Sequence, residues 1–129
     1  MVELFPEINK KIYKLYISYP DNSQDYTTFQ NRMSKTDEAF KWEIINNITE
    51  SDVLIVLSGL YIKDQERILN DINKAKTENK PIVVIRPYGQ EDIPQELENK
   101  ANEVIGWNTA CIVDAILLSI TNDSTNLPY

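Results

Sequence analysis

The apolar residues of this chain fall in short unbroken clusters separated by longer stretches of mixed character. Four clusters are continuous: "LYIS" (Leu15–Ser18), "VLIVLS" (Val53–Ser58), "IVVIR" (Ile82–Arg86) and "EVIGW" (Glu103–Trp107). Continuous rather than alternating runs predict strands covered on both faces. The stretches between them carry helical spacing. Ile68, Leu69, Ile72 and Ala75 fall at i, i+1, i+4 and i+7 and predict a helix over 63–79, with Asp64 as its N-cap. Ile112, Val113, Ala115, Ile116 and Ile120 predict another over 109–121. "IPQELENKA" predicts a short helix over 93–101 with Pro94 in its first turn. Over 23–35, Tyr26, Phe29 and Met33 share one helical face. Residues 36–49 read two ways: "AFKWE" as a brief edge strand and "IINNIT" as the helical turn after it.

Alternating strands and helices predict a three-layer α/β fold, a parallel sheet of four to five strands with helices on both sides. The length of 129 residues suits one domain spanning 1–129, with its core over about 13–120. The polar tail "TNDSTNLPY" (residues 121–129) is expected to fray. The start of the chain carries two acids and no clean apolar block, and no apolar run reaches membrane-spanning length. A cytoplasmic protein with no membrane association is the expectation.

Charge and residue usage then narrow the chemistry. Thirteen bases against 20 acids leave a net charge of -7, which argues against a phosphate-tracking nucleic-acid binder. The lone Cys111 excludes an internal disulfide and a cysteine-rich metal site. The absence of histidine excludes Ser-His-Asp and Cys-His nucleophilic machinery and every histidine-based zinc site. No metal and no bound cofactor is expected. Neither G-x-G-x-x-G nor G-x-x-x-x-G-K-[ST] occurs, so phosphate-cradling loops of those types are absent. A phospho-acceptor domain of this architecture needs an aspartate at the end of the central strand, where this chain has Ser58; Asp52 lies at the opposite end.

The three glycines, Gly59, Gly89 and Gly106, each stand at or within three residues of a predicted strand's carboxyl end, and Ser18-Tyr19-Pro20 holds the same place after the first strand. Ligands of open α/β sheets bind outside those ends; glycines also end strands for purely conformational reasons. Trp107 and Tyr61 follow strands, where an aromatic either stacks on a base or covers the end of the core. Arg86 ends a strand and suits either a phosphate or the acids Glu91 and Asp92. Asp71 has Arg67 at i−4 and Lys74 at i+3. It reads as an exposed ion-pair member or as a working carboxylate at the edge of the apolar stripe. Glu66 points roughly 140° away around the helix.

The runs "YKLYISYPD", "ESDVLIVLSGLY", "DINKAKTENKPIVVIRPYG", "IPQELENKANEVIGWN" and "CIVDAI" occur in an order that resembles the TIR-like domains of the Thoeris ThsB type, formerly domain of unknown function 1863. The resemblance covers about residues 13–120. It implies a flavodoxin-like fold with strand order 2-1-3-4-5 and NAD lying over the strand ends. It also implies a carboxylate on the helix after the third strand that drives cleavage of the nicotinamide–ribose bond, giving a cyclic ADP-ribose-type signal for an effector in antiphage defence. By resemblance, Asp71 is the catalytic position, Ser18, Tyr19, Ser58, Gly59 and Tyr61 line the nucleotide site, and Trp107 adds to it. The family pattern Trp-Ile-x-x-Glu-Ile reads "RILNDI" here, with Arg67 in the tryptophan column and Asp71 in that of the glutamate. Aspartate keeps the charge on a side chain shorter by about 1.5 Å. The segment around the second strand is also shortened. The alternative is a non-catalytic TIR-like module that binds a protein or nucleotide, or self-associates.

Overall fold

The computed structural model describes residues 12–18, 24–36, 40–58, 64–86 and 93–125. Within them the chain runs β1 (Ile12–Ser18), α1 (Gln24–Met33), β2 (Lys41–Ile44), a 3₁₀ turn (Ile48–Glu50), β3 (Val53–Leu57), α2 (Gln65–Thr77), β4 (Ile82–Ile85), α3 (Gln95–Lys100), β5 (Glu103–Ile105) and α4 (Thr109–Thr125). All strand pairs are parallel, and the sheet order is β2-β1-β3-β4-β5. That is the predicted three-layer α/β architecture, in the predicted order.

The continuous apolar runs are the centre of this sheet. Every residue of Val53–Leu57 and Ile82–Ile85 is fully buried, because helices cover both faces. Right-handed crossovers place α2, α3 and the 3₁₀ turn on one face and α1 and α4 on the other. Packing agrees: α2 lies against the 3₁₀ turn, β1 and β3, while the Thr109 hydroxyl of α4 donates to the Arg32 carbonyl of α1 at 2.9 Å.

Three expected boundaries shift. β1 begins at Ile12 rather than Leu15, since Ile12–Leu15 pair with β2 along its whole length. The last helix continues to Thr125, past the point where the tail was expected to fray. Nothing between Thr121 and Thr125 is glycine or proline, so no residue there forces the helix to stop. β5 is shorter than the run "EVIGW", with Gly106 and Trp107 beyond it.

The ambiguous segment contains both readings: a four-residue edge strand and a single 3₁₀ turn. A parallel crossover usually needs a dozen residues or more. Here a stagger makes residues 45–52 sufficient. β2 ends at Ile44 and β3 begins at Val53, and both residues are in register with Leu15. The linker therefore crosses β1 without travelling along the strands. Asn47 caps the turn by accepting from the Thr49 N–H at 2.9 Å, and the Thr49 hydroxyl ties it to Glu78 at 3.0 Å.

Candidate functional site

Alternation along β1 decides what reaches the face under α2. Leu15 and Ile17 point one way into the core; Tyr16 and Ser18 point the other. Ser18, the last residue of the strand, is completely buried. On α2, Asp64 caps the helix by accepting from the Arg67 N–H at 3.4 Å, and Ile68, Ile72 and Ala75 face the sheet. Asp71 immediately precedes Ile72, so it lies at the margin of that stripe and is about half-buried. The two elements meet there: the Ser18 hydroxyl donates to Asp71 Oδ2 at 2.7 Å.

Burial raises the Asp71 carboxyl above its ordinary value of 3.8; the Ser18 hydrogen bond and the Arg67 guanidinium oppose the shift, and the Asp64 charge adds to it. Lys74 pairs instead with Glu78, at 3.9 Å. The exposed three-residue ion cluster that spacing allowed is thus not what forms. Asp71 is a partly dehydrated carboxylate held from the strand side.

A cleft of about 530 Å³ is lined by Tyr16, Ile17, Tyr26, Ile44 to Asn47, Glu50 and Arg67; neither Ser18 nor Asp71 lines it, but residues near each of them do. It lies over the carboxyl end of β2, where the shortened crossover leaves room. Tyr16 and Arg67 are shared neighbours: one is two residues before Ser18 on the same strand face, the other one turn before Asp71. A second cleft, about 520 Å³, lies between the end of α1 and the start of α4, on the opposite side of the sheet from Asp71. Its similar size does not compensate for its distance from the carboxylate, so the first cleft is the candidate.

The other expected site residues divide. Ser58 is buried, and its hydroxyl donates to the Ile85 carbonyl at 2.7 Å, tying the end of β3 to β4. The Trp107 indole N–H donates to the Arg86 carbonyl at 2.9 Å, so this partly buried ring covers the end of the sheet. Tyr19, Gly59 and Tyr61 lie outside the described residues, as do Gly89, Glu91 and Asp92. The cleft residues Tyr16, Tyr26, Asn46, Asn47 and Glu50 were not anticipated. The signal for Tyr16 was present, because a period of two along β1 puts it on the face of Ser18.

Among the described residues no helix is long and apolar enough to cross a membrane, and no group of three or more potential ligands is placed to hold a metal ion. No individual curated protein matches the chain. Residues 6–92 match the family model described as Thoeris protein ThsB, TIR-like domain. That match spans well over half of the chain and contains β1, α2, Ser18 and Asp71, and the sheet order found here is that of the TIR-like fold. The chain belongs to the TIR-like domain family of the antiphage Thoeris protein ThsB.

Proposed function

We propose that this TIR-like domain binds NAD at the carboxyl end of its sheet and cleaves the nicotinamide–ribose bond, with Asp71 as the catalytic carboxylate. The observation that carries the reading is Asp71 itself: half-buried, bonded to Ser18 at 2.7 Å, and one helical turn from Arg67, which lines a cleft of about 530 Å³. The reaction suits a chain without histidine. As the C1′–N bond breaks, its electron pair passes to the pyridinium ring, which departs as neutral nicotinamide and needs no proton. Positive charge then develops on the ribose, and a carboxylate beside it stabilises that charge. Water, or another nucleophile of the same nucleotide, adds to C1′ and loses its proton. The product is an ADP-ribose-type signal for an effector protein. No resident cofactor enters the scheme.

A second reading rests on Arg67. Its guanidinium lowers the Asp71 carboxyl's proton affinity, as a nearby cation does, but also offsets the negative charge that the reaction uses. In that reading the domain binds a nucleotide or a partner protein without turnover. Incubation with NAD separates the two. Nicotinamide release that is lost in Asp71→Ala supports the enzyme. Thermal stabilisation by NAD with no product supports binding alone, and neither effect supports a protein-interaction module.

A further inference from the structure

Ser18 ends β1 in the position expected of a nucleotide-lining residue, yet it exposes no surface. Its hydroxyl proton is directed at Asp71 Oδ2, 2.7 Å away across the boundary between strand and helix. A group with no accessible surface reaches a ligand only through what it touches. What Ser18 touches is the carboxylate.

We infer that Ser18 is a positioning residue: it pins Asp71 Oδ2 to the end of β1 and so leaves Oδ1 as the working oxygen. This role rests on the NAD-cleaving reading for its consequence, but the pairing itself is independent of any ligand. The geometry explains how a short acid serves at this place. Free aspartate on a helix explores several rotamers, and each mispointed carboxylate is lost to the reaction. A hydrogen bond from a buried, strand-anchored hydroxyl selects one of them. Among the described residues no hydrogen bond occupies Oδ1.

The charged surroundings of Asp71 define the test. From its own helix Arg67 and Asp64 act on it, while Lys74 is engaged with Glu78. From the crossover, Glu50 lines the cleft that Arg67 also lines; among the described residues of β1, Ser18 donates to the carboxylate and the phenol of Tyr16 lines that cleft. β3 and β4 contribute buried aliphatic side chains. Of the groups on β1, Ser18 is the one whose removal alters the ionisation of Asp71 directly, because a hydroxyl donating to a carboxylate favours the charged form.

The experiment follows the Asp71 carboxyl by carbon-detected NMR titration in the native chain, Ser18→Ala and Ser18→Thr, with nicotinamide release from NAD measured on the same samples. Ser18→Ala is expected to move the Asp71 titration upward and lower kcat on the order of tenfold or more, with KM changed much less. Ser18→Thr, which keeps the hydroxyl, is expected to restore both. Should Ser18→Ala fail to fold, Ser18→Cys, with a weaker donor of similar shape, is read the same way. An Asp71 titration that is unmoved in a folded Ser18→Ala or Ser18→Cys overturns the inference, whatever the activity. A native chain that releases no nicotinamide, while Asp71 still titrates according to residue 18, upholds the pairing and overturns the NAD-cleaving reading alone.

Discussion

Asp71 combines two properties that pull against each other. Burial holds its carboxyl above the ordinary 3.8, with partial relief from Ser18 and Arg67. The folded chain therefore holds this proton more tightly than the unfolded chain. Between 3.8 and the raised folded value folding takes up a proton, so stability falls as pH rises through that window. Above it, the ionised acid is a net cost to the fold. Asp71→Asn removes the charge and keeps an oxygen to accept from Ser18. It is expected to unfold at a higher temperature than the native chain at pH 7, with the gain shrinking as pH falls through the raised folded value toward 3.8 and levelling off below it. Paired calorimetric scans across that range check it, and a native chain equally or more stable at pH 7 refutes it. Spacing alone placed Asp71 beside Arg67 and Lys74; the partner that matters, Ser18, is 53 residues away in sequence. That contact exists only once β1 and α2 are stacked, which is why no local pattern revealed it.

At the scale of elements, polar side chains end and begin the regular structure. α2 closes with Asn79 at φ 59°, in the left-handed region. The Lys80 N–H bonds the Ala75 carbonyl at 2.8 Å and the Asn79 N–H bonds that of Lys76 at 3.1 Å, the paired closure of a Schellman motif. β3 and β5 share another device at their starts. Asp52, just before β3, accepts from the Lys14 N–H at 2.8 Å and returns its own N–H to the Lys14 carbonyl at 2.7 Å. Asn102, just before β5, does the same with Ile82 at 2.8 and 2.7 Å. Asn79→Ala is expected to cost about 1–2 kcal/mol through left-handed strain, and Asn79→Gly to be tolerated. Asn102→Ala, which strands the N–H of fully buried Ile82, is expected to cost about 1–3 kcal/mol. Urea unfolding measures each; losses under half a kilocalorie would contradict both assignments.

Across the whole molecule, the fold was the most legible part of the chain. Two strands buried on both faces write themselves as "VLIVL" and "IVVI", and the amphipathic stripe of α2 fixes the crossover between them. The edges were harder to read. Among the described residues β2 pairs over four residues with β1 alone, and its side chains alternate between exposed and half-buried, so its signal in "KWEI" is weak. Of the candidate site, the sequence singled out the carboxyl end of the sheet and Asp71, but not the Ser18 contact that holds that carboxyl. The cleft was not legible, because it is made by the staggered, shortened crossover rather than by any motif. Hydrogen exchange offers a check on this hierarchy. Amides of β3 and β4 are expected to exchange slowest and those of β2 and β5 fastest among the strands. Protection of β2 equal to that of β3 would mean that its edge is covered in solution, as self-association would do.

The central claim is that the charge of Asp71, and not its shape, acts on the ribose of NAD. The most direct test is nicotinamide release by the native chain beside Asp71→Asn, an isosteric change that keeps the Ser18 contact. The account predicts release by the native protein and a drop on the order of a hundredfold or more in a variant that is folded and more stable. Comparable release by both proteins would contradict it.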